Sequence, residues 1–162
     1  AEVHPAFAAG HVLVSLRELD TVAVIDPAAE RIVWALTGLW HRQHEPTLVG
    51  PGHLLVFDNL AGGPSTEESR VVEVDPSTQA IVWSLDRGLF SRQLGAAHRL
   101  ANGNTLVVES EAGRAFEVTP SQEIVWEWRS PYRAGENDEL VATLCDVIRL
   151  DASYLDALRP TS

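Results

Sequence analysis

The sequence predicts an all-β fold: a β-propeller portion of about three four-stranded blades plus a C-terminal return strand. Three observations predict it. One pattern occurs three times: Ile25-Asp26-Pro27 leads into Ile32-Val33-Trp34, Val74-Asp75-Pro76 into Ile81-Val82-Trp83, and Val118-Thr119-Pro120 into Ile124-Val125-Trp126. The tryptophans stand roughly 45 residues apart, the period of a four-stranded blade. A turn glycine also precedes a β-rich run in each copy: Gly10 before HVLVSL, Gly52 before HLLVFD and Gly103 before NTLVVES. Finally, no segment carries a helical period before Ala152–Leu158, which has the length for one or two turns.

The elements follow from these markers. The first blade, residues 1–38, reads as strands 3–8, 11–16, 21–26 and 31–36. The second, 41–86, reads as strands 45–49, 53–58, 70–75 and 80–85. The third, 95–129, reads as strands 96–100, 104–110, 114–119 and 123–128. Val, Ile, Leu and Trp at these positions suit a pleated, buried surface. Asn102-Gly103 and Gly62-Gly63-Pro64 are turn signals. The insertion Asn59–Arg70 has the Gly, Pro, Ser and Glu content of an exposed loop. Residues 130–139 read as a polar linker, and Leu140–Leu150 as the return strand, followed by a short tail to residue 162. The recurrent tryptophans are expected to fill the wedge between neighbouring sheets, because aromatic burial dominates core energetics.

Three blades do not close a ring, since propellers take four to eight. The expectation is that upstream blades of a longer chain, or a second copy, complete it. The sequence has no methionine, so residue 1 is not a retained start; a removed leader or a longer parent chain is expected.

Composition narrows the function. The chain of 162 residues is 45% hydrophobic and 22% charged, which is globular. Its net charge is −11, and all twelve Lys-plus-Arg cations are arginine. So acidic a chain repels phosphate backbones, which argues against nucleic acid as a partner. No apolar run is long enough to span a membrane, and no leader pattern opens the sequence. The single cysteine, Cys145, has no intrachain partner for a disulfide.

Candidate chemistry rests on histidines. His4, His44 and His98 each precede or open a blade's expected first strand. In a propeller that strand lines the channel, so such residues converge on one opening. Their offsets from the turn glycine differ, so they are not one repeated packing position, and His98 has the opposite strand parity. Each has the alternative of a hydrogen-bonded histidine at a blade edge. Arg17 follows the second strand of the first blade, either as a solvated loop arginine or as a clamp on a tetrahedral oxyanion beside two imidazoles. No histidine pair has short metal-ligand spacing and none is accompanied by cysteine, so no metal is expected. No phosphate loop, nucleophile elbow or Cys-x-x-Cys occurs. Glu109 and Glu111 read as a solvated face, and His11 and His53, after the turn glycines, as solvent-facing.

The stretch QH-x3-L-x3-G-x-L-x-VFDN, Gln43 to Asn59, resembles the arylsulfate sulfotransferases, the arylsulfotransferase family. So do Ser69–Glu73 and the run from His98 to Trp128. Val3-His4 and Ser15-Leu16-Arg17 resemble the family's His-x-Asn and Ser-x-Arg signatures. The resemblance implies the C-terminal half of a six-bladed, exported propeller, placed in the periplasm or outside the cell. It implies transfer of a sulfuryl group from an aryl sulfate to a phenol with no nucleotide cofactor. It maps the sulfated nucleophile to His44 and groups holding sulfuryl oxygens to His4 and Arg17; His98, from its place in the third blade, is a candidate for binding the substrate. The chain departs from the pattern at Ala6, where the family has Asn, and at Leu94-Gly95-Ala96-Ala97, where the family is rich in Ser and Thr. A further family histidine belongs to an upstream blade. The rivals are a non-catalytic binding or scaffolding propeller and a quinoprotein-like cofactor binder suggested by the Asp-Pro…Ile-Val-Trp repeats, because fold alone does not fix function.

Overall fold

The computed structural model describes residues 3–150. They form three successive antiparallel meanders. The first sheet holds β1 (Val12–Leu16), β2 (Thr21–Asp26) and β3 (Arg31–Thr37), in that order. The second holds β4 (His44–Val49), β5 (His53–Asp58), β6 (Arg70–Asp75) and β7 (Ala80–Leu85). The third holds β8 (Ala96–Arg99), β9 (Thr105–Glu109), β10 (Arg114–Val118) and β11 (Ile124–Arg129). The innermost strands lie against one another from sheet to sheet, β1 on β4 and β4 on β8. This is the blade stacking of a β-propeller, and the chain is a portion of one.

Local chemistry sets each blade. Asp26 Oδ1 accepts the N–H groups of Ala28 and Ala29, and Asp75 Oδ1 that of Ser77, closing the turn before the outer strand. Each such turn ends in a left-handed residue, Glu30 (φ 50°), Gln79 (φ 61°) or Gln122 (φ 68°). Across each turn the two strands show a register shift at the matching place, Val24/Ile25, Glu73/Val74 and Glu117/Val118. The threefold sequence pattern is therefore a threefold backbone pattern.

The core lies between blades. Val22, Leu36 and Trp40 pack against Leu54, Val56, Val72 and Val74 at the first junction. Leu55, Phe57, Val71 and Leu85 pack against Ala97, Val107, Phe116 and Val118 at the second. Alternate residues of β5 thus serve opposite junctions, which is why its sequence is continuously apolar rather than alternating. The indole N–H of Trp34 donates to Pro76 O (3.2 Å), and that of Trp83 to Pro120 O (2.9 Å). Each ring therefore reaches the proline turn of the next blade.

Two expected strands differ. Residues 3–8 form turns, leaving the first blade three-stranded among the described residues. Pro5 has no N–H to give a ladder. The Ala6 N–H is taken by His4 Nδ1 (3.1 Å), and the Ala6 carbonyl lies 2.8 Å from His11 Nδ1. Phe7 packs on Trp34 instead, with ring centroids 5.5 Å apart. At the other end, only Leu140–Val141 of the expected return strand is extended and paired. It is β13, and it pairs with β12 (Arg133–Ala134), inside the expected linker. Residues 142–150 cross the outer face of the third blade, held by one main-chain bond and by side chains. Leu144 N–H donates to Ser110 O (3.1 Å), Asp146 meets His98, and Arg149 meets Glu117 (2.7 Å) and lies over Trp126. Gly113 permits this approach: a Cβ there would come within 2.5 Å of Val141. The helical turns expected at Ala152–Leu158 and the final tail lie outside the described residues. No helix among the described residues is long and apolar enough to cross a membrane.

Candidate functional site

His44 opens β4 opposite Phe57, and the pairing resumes at Thr47 opposite Leu55. Pro46 has no N–H for the ladder, so the strand bulges there, and Glu45 takes a positive φ of 47°. His44 thus stands at the end of the β4–β5 ladder, at the rim of the sheet, set off from the rest of the strand by the bulge.

The residues around His44 form one hydrogen-bonded unit. Gln43 is fully buried and donates from Nε2 to Ser15 Oγ (3.1 Å) and Thr21 O (2.8 Å). Ser15 Oγ in turn donates to Gln43 O (3.0 Å). The serine two residues before Arg17 therefore clasps the glutamine before His44, tying the first blade to the second. Asp58, also fully buried, accepts from His41 N–H (2.8 Å) and Arg70 Nε (2.8 Å), and Arg70 donates onward to Leu39 O (2.7 Å). This fixes the turn that delivers Gln43 and His44. Asn59 Oδ1 lies 2.7 Å from His44 Nδ1, and Arg42 O lies 3.1 Å from the same atom. Asn59 Nδ2 donates to Ser91 O (2.8 Å) and to Leu94 O. His44 is partly exposed, and its Nε2 has no hydrogen-bond partner among the described residues.

Cations stand on the same rim. Arg17, in a short 3-10 turn after β1, and Arg42 both bond Glu18. Asp20 accepts from Arg42 N–H (2.8 Å) and meets His41 Nδ1 (3.0 Å). Burial works to raise the Asp20 carboxyl but is outweighed by the Arg42 N–H, the His41 ring and the Arg17 charge, so its pKa lies below the usual value.

The structure brings Arg17 to the His44 end of the blades and leaves His4 at the other end. His4 lines a depression with Pro51, Gly52 and His53, beside the turn that closes β4 onto β5. The length of β4 separates it from His44, about 17 Å for five residue steps. The expected meeting of His4, His44 and Arg17 around one pocket is not seen, for the reason that residues 3–8 form no inner strand to carry His4 up the channel. His98, in β8, bonds Asp146 (2.7 Å), and Glu45 approaches it at 3.9 Å. Those three groups have ligand atoms within 4.8 Å of one another and are the described residues that could hold a metal ion. Burial, then the Asp146 charge, raises the Glu45 pKa against the pull of His98.

Three other expectations change. His53 is bound to Glu73 (2.7 Å), and His11 is held between Ala6 O and Asp26, so neither stands free in solvent. Glu109 is buried, paired with Arg114 (3.2 Å) and accepting Phe90 N–H (2.8 Å). Glu111 is exposed, as a solvated face requires, and accepts Arg92 N–H there. Sequence reasoning did not single out Asn59 and Asp58 individually, although both closed the motif it relied on.

No curated protein matches the chain. Among solved structures, it is similar to a protein of unknown function from Bacteroides caccae, at 16% identity and a TM-score of 0.54, over 75% of this chain and 42% of that one. It also aligns with BamB from Moraxella catarrhalis, at 13% identity and a TM-score of 0.45, over 78% of this chain and 35% of that one. The chain thus spans less than half the length of either. The Bacteroides likeness is one of fold. The model of the arylsulfotransferase (ASST) family matches residues 2–131, which takes in all three blades and the whole Gln43–Asn59 unit, and the chain belongs to that family.

Proposed function

We propose that the chain carries the nucleophile-bearing part of an aryl-sulfate sulfotransferase site. His44 Nε2 attacks sulfur, the S–O bond to the aryl group breaks, and the electron pair leaves on the aryl oxide. A phenol oxygen then attacks the sulfated histidine, the S–N bond breaks, its pair returns to Nε2, and the phenol proton passes to solvent. The reading draws on no nucleotide or metal. The observation that carries it is the placing of His44: Nδ1 is anchored while Nε2, without a partner among the described residues, stands on a rim that also holds Arg17 and Arg42. Sulfuryl transfer needs in-line approach and neutralised non-bridging oxygens, and a well-placed donor contributes about 3 kcal/mol to that. Arg17 serves as such a donor once substrate displaces it from Glu18; for His4 the same role rests on the family resemblance, and His98 is a candidate for binding the substrate. Upstream blades or a second copy would complete the ring, and the compartment would be the periplasm or the exterior.

A second reading, a non-catalytic binding propeller, is favoured by one observation: His4 lies at the far end of β4. One assay separates them. Full-length protein given p-nitrophenyl sulfate and a phenol releases nitrophenolate under the first reading, and His44→Ala abolishes the release. Under the second, neither form releases it.

A further inference from the structure

Resting on that sulfotransferase reading, a further role falls to Asn59. Two acceptors converge on His44 Nδ1: the Arg42 carbonyl (3.1 Å) and Asn59 Oδ1 (2.7 Å). A main-chain carbonyl only accepts, so Nδ1 must donate. The orientation of the Asn59 amide is equally determined. Its nitrogen faces two further main-chain carbonyls, Ser91 O (2.8 Å) and Leu94 O. Turning the amide over would set its oxygen against both carbonyls and its NH2 against the imidazole. Asn59 is fully buried, so water cannot relieve such a clash. The loop bearing those carbonyls is itself fixed: Gly95 lies against the Phe57 ring, and its N–H donates to Ser110 Oγ (2.8 Å).

A neutral imidazole carries one N–H. With that hydrogen on Nδ1, Nε2 keeps its lone pair. We propose that Asn59 is a positioning residue that selects the Nδ1–H tautomer of His44 and holds Nε2 as the nucleophile through both half-reactions. When Nε2 bonds sulfur and the aryl oxide departs, the ring becomes a cationic N-sulfo-imidazolium with Nδ1–H still in place. Asn59 Oδ1 stabilises that hydrogen but, being an amide, does not remove it. The ring stays cationic and remains a good leaving group for the acceptor phenol, and loss of sulfur restores the starting tautomer. A carboxylate in the same place would draw the proton and leave a neutral, poorer donor.

The test is nitrogen NMR on full-length protein with 15N-labelled histidine, near pH 8 where imidazole is neutral, with the His44 signals assigned by their loss in His44→Ala. The expected spectrum has a protonated Nδ1 and an unprotonated Nε2; a dominant Nε2–H form overturns the proposal. Asn59→Ala removes the shorter of the two contacts and leaves Nδ1 only the 3.1 Å Arg42 carbonyl, so it should shift the ring part of the way toward Nε2–H and lower kcat by about 10- to 100-fold with KM little changed. An Asn59→Ala protein that keeps both the tautomer and full turnover also overturns it. If that variant does not fold, the wild-type spectrum decides. Turnover that survives His44→Ala would defeat His44 as the nucleophile, here and in the function proposed above, and would leave only the tautomer assignment, which is measured without turnover.

Discussion

Replacing Asp58 with alanine should both loosen the fold and misplace His44, the proposed nucleophile. The carboxylate is fully buried and holds two partners, the His41 N–H and the Arg70 guanidinium, each at 2.8 Å. The bond to His41 is a backbone N–H to a charged acceptor, worth about 1.5 kcal/mol. Breaking a fully buried ion pair costs about 3–5 kcal/mol, because the remaining charge is stranded. Arg70 is 26% exposed and still bonds Leu39 O, so water and that carbonyl recover part of the loss. The sum is a destabilisation of about 2–4 kcal/mol. In urea, with a slope of about 2 kcal/mol/M, the midpoint should fall by about 1–2 M. A double-mutant cycle with Arg70→Met should return a coupling of about 1–3 kcal/mol, because removing both partners strands neither. A single-mutant change below about 0.5 kcal/mol, or no coupling, would refute the claim that this pair holds the turn in front of His44.

Two further outcomes follow from other contacts. Gly95 has φ +97°, and a Cβ there would lie 2.5 Å from the Phe57 ring; Gly95→Ala should cost about 2–4 kcal/mol, read by thermal or urea unfolding. The raised Glu45 pKa means the folded state holds its proton to higher pH than the unfolded chain does. Stability from this group is therefore full below the usual glutamate value of 4.5 and declines as pH rises through the raised value. Glu45→Gln should flatten that decline and raise stability at neutral pH, read by urea titrations across pH; an unchanged pH dependence would count against burial as its cause.

The blades were legible because their markers are local. A proline-marked turn, a left-handed residue and a bulge recur in each blade, with Asp26 and Asp75 before the proline in the first two and Thr119 in the third, so each turn is specified by its own residues. The continuous apolar run in β5 was legible as a strand, and the packing of Leu54 and Leu55 on opposite junctions shows that both its faces are buried. Residues 3–8 were not legible. Their apolar spacing suits a strand, but Pro5 withholds a donor and His4 and His11 capture the Ala6 backbone groups. Residues 142–150 also misled: their apolar content suits a strand, but Asp146 and Arg149 pin them across a sheet face. At the site, His44 and Arg17 could be picked out by residue type. Asn59 could not, because its role depends on two carbonyls more than thirty residues away that only the fold brings near.

The central claim is that the imidazole at position 44 becomes covalently sulfated. The most direct measurement is mass spectrometry of the full-length protein quenched after brief exposure to an aryl sulfate without acceptor. The account predicts a single added sulfuryl group on the peptide carrying His44, absent from His44→Ala and removed when a phenol is supplied. A protein that turns over aryl sulfate while that peptide stays unmodified, or that carries the group on another residue, would contradict it.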